Sequence, residues 1–134
     1  MRFLSREQTR DLIVLAERAR QRLSALAGHE VVYGVEAMQL LDEWIDDYLE
    51  HSPDPPPKVR LLWTCLLGEM FRRRNDGWWA LREDALVILC PMDEGERRLV
   101  EVRDQVDRRI VFGMAESLSY FYDVTRIELK LGRH

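Results

Sequence analysis

Cysteine, histidine and glycine, which build many chemical sites, are scarce or scattered in this sequence. Two cysteines and three histidines occur among its 134 residues, and no two of them stand at the spacing that a zinc site requires. The seven glycines form no glycine-rich phosphate loop, and there is no Gly-x-Ser-x-Gly elbow. We therefore expect no metal and no cofactor, we identify no catalytic residue, and the balance favours a protein that is not an enzyme.

A long apolar run and an excess of basic residues are also missing. No stretch reaches the ~18 apolar residues that a membrane-spanning helix needs, and the N-terminus lacks the apolar core of a signal peptide. Nucleic-acid binders need a basic face, because contacts to phosphates supply most of their non-specific affinity, whereas the net charge here is −4. With two cysteines, a disulfide-stapled secreted scaffold is not expected either. The sequence predicts a cytoplasmic protein that binds neither membranes nor nucleic acids.

The chain has the length of one domain, and we expect residues 1–134 to fold around a single core. In its first half, apolar residues recur at helical spacing, and Ser5 with Gln8 has the form of a capping box. A proline-rich segment after the second helix is expected to be a rigid connector. The pattern predicts three helices, over residues 5–28, 35–50 and 57–74.

The third of these helices is apolar around most of its circumference, which is typical of a central, buried helix. Gly68 costs about 1 kcal/mol relative to alanine inside a helix. Its presence therefore indicates that another backbone or a large ring lies close to it. Trp78 or Trp79 would supply that ring.

The one acid of this helix, Glu69, has two interpretations. A buried carboxylate must be paired, and Arg72 and Arg73 follow at the spacing that lets side chains meet on a helix. Alternatively, Glu69 faces a small polar pocket built from a carboxylate, a guanidinium and aromatic rings. The residues assigned to such a ligand site are Glu69, Arg72, Trp78, Trp79 and Glu116, with Tyr120 nearby.

The second half of the chain has the composition of a small sheet. Residues 78–82 and 85–90 read as two strands, and a tight turn would join them as an antiparallel hairpin. Residues 97–102 suit either a third strand or the start of a helix that runs to about residue 112.

A last helix is expected over residues 115–123, and the alternating residues 127–131 suggest a short strand. The expected fold class is α+β. Three N-terminal helices would pack on a small antiparallel sheet, with one or two C-terminal helices.

The second helix carries an acidic face without basic residues. One explanation is a solvated face, or one paired with arginines of the first helix; another is a surface for a basic protein partner. A metal site is disfavoured, because two carboxylates one helical turn apart supply too few ligands. The partner-binding candidates are Asp42, Glu43, Asp46, Asp47 and Glu50.

Several short motifs follow one another in the second half of the chain: Leu67-Gly68-Glu69, Gly77-Trp78, a strand ending in Cys90-Pro91, Arg109-Ile110, and Gly113 with Glu116-Ser117-Leu118. In these motifs the chain resembles a group of small bacterial domains of unknown function, which have a Leu-Gly-Glu helix followed by a Gly-Trp strand. The resemblance implies an α+β fold and a cytoplasmic setting. It implies no established reaction.

Two functional hypotheses result. The first is a non-enzymatic accessory protein of the immunity or adaptor type, whose acidic helix from Asp42 to Glu50 docks a basic protein partner. The second is a small-molecule-binding domain or enzyme with a pocket around Glu69, Arg72 and Trp78. Self-association as a homo-oligomer stays open under both hypotheses, because side chains of the aromatic-rich segments can form an exposed apolar patch.

Overall fold

The chain folds into five α-helices and one four-stranded sheet in the computed structural model, which describes residues 1–132 apart from the side chain of Glu94. The strands are β1 (Arg2–Phe3), β2 (Trp78–Arg82), β3 (Ala85–Pro91) and β4 (Arg97–Val100). The helices are α1 (Arg6–Ala27), α2 (Val35–His51), α3 (Pro57–Arg74), α4 (Val102–Phe112) and α5 (Leu118–Leu131). Two short 3-10 turns lie at Asp93–Gly95 and Gly113–Glu116.

The α+β class is confirmed, with three helices before the β2–β3 hairpin and two after β4. The capping box is confirmed too, since the Ser5 hydroxyl accepts a hydrogen bond from the Gln8 backbone N–H at 3.1 Å. The Gln8 side chain returns the contact by accepting from the Ser5 N–H at 3.0 Å. Helix α1 therefore begins where the sequence predicts.

The sheet is antiparallel throughout, in the order β1-β2-β3-β4. Residues 97–102, for which strand and helix were both open, divide between strand β4 and the first residue of α4. Strand β1 was not predicted, because a strand of two residues is too short to show an alternating pattern in the sequence. Phe3 lies opposite Ala80 in its register, which brings the N-terminus next to β2.

Helix α3 is the centre of the core. It packs against α1, α4, β2 and β3, whereas α1 and α2 contact the sheet much less. Of the three N-terminal helices, α3 therefore provides most of the packing on the sheet. The ring of Trp79 occupies the place where a side chain on Gly68 would begin, which confirms that this glycine admits a large ring.

The predicted strand over residues 127–131 is wrong, because α5 continues to Leu131. Its buried residues are Leu118, Tyr122, Thr125 and Leu129, spaced by four, three and four, which is the period of a helix and not of a strand. Alternation over five residues is too short to separate the two periods. None of the helices within residues 1–132 has both the length and the apolar character needed to cross a bilayer.

Candidate functional site

Glu69 is completely buried and fully engaged with its neighbours. Its carboxylate accepts hydrogen bonds from Arg72 Nε at 2.5 Å and Nη2 at 2.9 Å, and from Arg73 Nε at 3.0 Å. The indole N–H of Trp79 donates a further bond at 2.9 Å. The pairing with Arg72 and Arg73 that the sequence predicts is therefore present, and Trp79 completes it.

The electrostatic balance keeps Glu69 ionised. Burial acts to raise the pKa of this carboxyl, but the hydrogen bonds from Arg72, Trp79 and Arg73 outweigh that effect and hold the pKa below its ordinary value. The same contact raises the pKa of Arg72. A carboxylate held in this way is a fixed structural anion, and it is poorly suited to act as a general base.

A groove of about 900 Å³ opens beside this buried cluster. We call it the arginine–tryptophan groove. Its walls come from the first half of α1, the end of α3, strands β1 and β2, and the start of β4. Its lining residues are Phe3, Leu4, Arg6, Thr9, Arg10, Ile13, Arg72, Asp76, Gly77, Trp78, Trp79 and Arg97.

Successive residues of β2 give the groove its aromatic wall. Because side chains alternate across a strand, Trp79 points into the core, where it is buried, whereas Trp78 is 65% exposed. The ring of Phe3 meets the Trp78 ring edge to face, with centroids 6.1 Å apart. Short strand β1 thus holds a second aromatic ring beside the exposed indole.

The charge of the groove is strongly positive. Four arginines are among its lining residues, namely Arg6, Arg10, Arg72 and Arg97, against the single acidic residue Asp76. Arg72 is engaged with Glu69, whereas the other three form no ion pair with any described side chain. This is an unusual concentration of uncompensated charge for a protein whose net charge is −4.

The structure brings together only part of the predicted ligand site. Arg72, Trp78 and Trp79 line the groove, while Glu69 lies behind its wall and is absent from the lining. Glu116 is elsewhere: it accepts hydrogen bonds from Arg108 Nη2 at 2.6 Å and from Gln105 Nε2 at 3.1 Å, and the bond from Arg108 lowers its pKa.

Nine of the twelve lining residues were not assigned to a site from the sequence, among them the aromatic and basic residues Phe3, Arg6, Arg10 and Arg97. Arg6 and Arg10 stand four residues apart on α1, and this spacing was the only signal that joined any of them. The other two come from distant segments, and only the order of strands in the sheet brings them to one place.

The acidic helix differs from expectation at Asp42, which was predicted to lie outside and is 3% exposed. Its carboxylate accepts from Arg109 Nε at 2.8 Å and from the Ser117 hydroxyl at 2.8 Å. The backbone N–H groups of Leu118 and Ser119 donate to it at 3.0 Å each. Asp42 therefore caps the N-terminus of α5 and neutralises a fully buried guanidinium.

The remaining acids of α2 fall into two groups. Asp46 is half-exposed and accepts a bond from Arg109 Nη2 at 2.6 Å. Glu43, Asp47 and Glu50 are exposed, and none of them forms an ion pair with a side chain that the structure describes. The internal pairing proposed for this face thus holds for part of it, with the arginine supplied by α4 and not by the first helix.

The two thiols are buried, and burial raises the pKa of Cys65 and of Cys90 to about 12. Both are protonated at neutral pH and unreactive. Among the side chains that the structure describes, no three of His, Cys, Asp or Glu come together in a way that could hold a metal ion.

In comparisons with known proteins, no protein-family model, curated protein or solved structure matches the chain. The resemblance to small bacterial domains stays a prediction.

Proposed function

We propose that this protein is a binding protein whose arginine–tryptophan groove holds a small anionic ligand with an apolar or aromatic part. One observation carries the proposal: four arginines and the exposed Trp78 line a single groove whose lining includes one acidic residue. A volume of about 900 Å³ lies within the range of roughly 300 to 1,000 Å³ that small-molecule sites occupy.

The chemistry of the lining favours an anion over other ligands. Guanidinium groups stay charged at every physiological pH, and their planar fork matches carboxylate and phosphate oxygens. Phe3, Leu4, Ile13 and Trp78 supply apolar surface in the same groove. A ligand that used both features would combine a charged end with an apolar body.

In this arrangement Glu69 is a positioning residue. It holds the Arg72 guanidinium through Nε and Nη2 and fixes the Trp79 indole that closes the inner wall. The pocket hypothesis is kept in this revised form, with Glu69 acting through its neighbours.

Binding is a better description than catalysis for this groove. Apart from the arginines and the indoles, its polar side chains are Thr9 and Asp76. Neither side chain forms a hydrogen bond with another described residue, so no described base contacts the Thr9 hydroxyl to activate it as a nucleophile.

Binding of an anionic aromatic dye tests the proposal. Anilinonaphthalene sulfonate should bind the native protein and fluoresce, and we expect Trp78→Ala and Arg10→Ala each to weaken that binding about tenfold, which is the loss of about 1.4 kcal/mol. Tyr120→Ala and Arg18→Ala are matched controls, since Tyr120 is 70% exposed and Arg18 is exposed on α1 outside the groove. Circular dichroism confirms that each variant is folded. Equal binding by groove and control variants would contradict the proposal.

A second candidate function is the docking of a basic protein partner on the exposed acids of α2. The observation that favours it is that Glu43, Asp47 and Glu50 are exposed and have no ion-pair partner among the described side chains. The surface is smaller than the sequence suggests, because Asp42 is buried and Asp46 is shared with Arg109.

An arginine-rich peptide is a suitable probe for this surface. We expect Glu43→Lys with Asp47→Lys to remove salt-sensitive binding of the peptide, while the matched pair Glu7→Lys and Asp11→Lys on α1 leaves it unchanged. Binding that survives the reversal on α2 would exclude that helix as the docking surface.

A further inference from the structure

We infer that the groove's ligand is a phosphorylated aromatic compound of the nucleotide class, with a flat ring next to at least two negative charges. The inference rests on the proposed function and narrows it. Charge, aromatic surface and location in the fold each contribute to it.

The charge in the groove suits a dianion better than a single carboxylate. Arg6, Arg10 and Arg97 line it without an ion-pair partner among the described side chains, and Asp76 offsets one of them. Glu69 already balances part of the charge of Arg72. About two positive charges are left, and a phosphate monoester carries a negative charge of about the same magnitude near neutral pH.

The exposed indole suits a flat ring. Phe3 meets Trp78 edge to face at an interplanar angle of 66°, so Phe3 steadies the indole without stacking on it. Trp78 is 65% exposed, and it can therefore stack with a planar ring of a ligand. Bases stack readily on aromatic side chains.

The position of the anionic end follows from α1. Arg6 and Thr9 lie in the first turn of this helix of 22 residues, where the positive end of the helix dipole adds to the field of the guanidinium groups. A phosphate bound near the start of α1 would lie in the same groove as Trp78, on which the ring could stack.

A small molecule fits better than a nucleic-acid strand. The rest of the surface would oppose a long polyanion, because the net charge is −4 and the exposed acids of α2 repel phosphates.

Calorimetric titration with adenosine monophosphate, adenosine and inorganic phosphate tests the inference. We expect the nucleotide to bind about tenfold or more tightly than either of its parts, and Trp78→Ala to weaken nucleotide binding about tenfold while leaving phosphate binding unchanged. Trp78→Tyr, which keeps a ring, should restore most of the lost affinity. Tyr120→Ala and Arg18→Ala are again the controls.

The outcomes separate the two levels of the proposal. If the dye binds the groove and the nucleotide does not, the ligand class is wrong and the proposed function stands. If neither binds, both fail. Phosphate binding as tight as nucleotide binding would overturn the stacking role of Trp78, and affinity that rises with the length of an oligonucleotide would overturn the assignment to a small molecule.

Discussion

Arginine has two different roles in the two charged regions of this protein. Arg109 on α4 is completely buried and lies between Asp42 and Asp46 of the acidic helix. Arg6 and Arg10 on α1 line a groove and form no ion pair with any described side chain. The same residue type is thus a structural cross-link in one region and an uncompensated surface charge in the other.

The difference shows which charges the fold explains. A buried guanidinium requires a carboxylate, since an unpaired charge in the core is strongly destabilising. Exposed charges contribute little to stability whether or not they are paired. The acids around Arg109 therefore have a structural explanation, whereas Arg6, Arg10 and Arg97 of the groove have no ion-pair partner among the described side chains, and this makes the groove the better candidate for a binding site.

The largest effect is expected from Asp42→Ala. The substitution would leave Arg109 buried with one carboxylate fewer and remove the acceptor for the N–H groups of Leu118 and Ser119. Breaking a buried pair costs about 3 to 5 kcal/mol. Urea unfolding followed by circular dichroism measures the loss.

Asp47→Ala is the matched control for that measurement, because Asp47 is exposed on the same helix. Its effect should stay within about 0.5 kcal/mol, as for most surface substitutions. Should the two variants prove equally stable, the contrast between structural and surface acids on α2 would be lost.

A somewhat smaller effect is expected from Gly68→Ala. The new methyl group would overlap the ring of Trp79, which cannot shift easily because its N–H is bound to Glu69. Overpacking of up to about 3 kcal/mol, offset by about 1 kcal/mol of helix propensity, gives a net loss of about 2 kcal/mol. The urea midpoint measures it, and an unchanged midpoint would mean that the ring yields freely.

The features that the sequence predicted well are local ones. The capping box joins Ser5 to Gln8, and the arginines that pair with Glu69 follow it by three and four residues. Such contacts depend on helix geometry alone. Even the ring beside Gly68 could be inferred, because a costly glycine inside an apolar helix signals close packing.

The features that the sequence missed depend on distant segments. Arg109 donates a hydrogen bond to Asp42, and Asp42 caps the N-terminus of α5, at separations of 67 and 76 residues. No periodicity in the sequence shows such a pair. One hint was present: Val102, Val106 and Arg109 share one helical stripe, which places an arginine among buried residues. Most of the groove's lining was missed for the same reason, since the groove exists only where α1, β1 and β4 meet the end of α3.

A further prediction concerns the pH dependence of stability and tests the buried carboxylate of Glu69. Because the pKa of Glu69 lies below its ordinary value of 4.5, its ionised form stabilises the protein above that pH. The stabilisation is lost as the pH falls through the lowered pKa of the folded state. Glu69→Gln should cost about 1.5 to 3 kcal/mol near neutral pH, as expected for the loss of a hydrogen bond to a charged group.

Urea unfolding at several values of pH tests this prediction. The difference in stability between the native protein and Glu69→Gln should shrink as the pH falls below about 4.5, because the glutamine does not titrate. A difference that is constant with pH would show that Glu69 contributes through packing and not through its charge.

The smallest effect on stability is expected from Arg10→Ala, and it bears most directly on the groove. Arg10 is exposed and unpaired among the described residues, so its removal should change the free energy of unfolding by less than about 0.5 kcal/mol. The same variant should weaken binding of the anionic dye about tenfold. Arg10 would then matter for binding and not for folding, unlike Arg109. A loss of more than about 1 kcal/mol in stability would instead give the charge of Arg10 a structural explanation and remove the main argument for the groove.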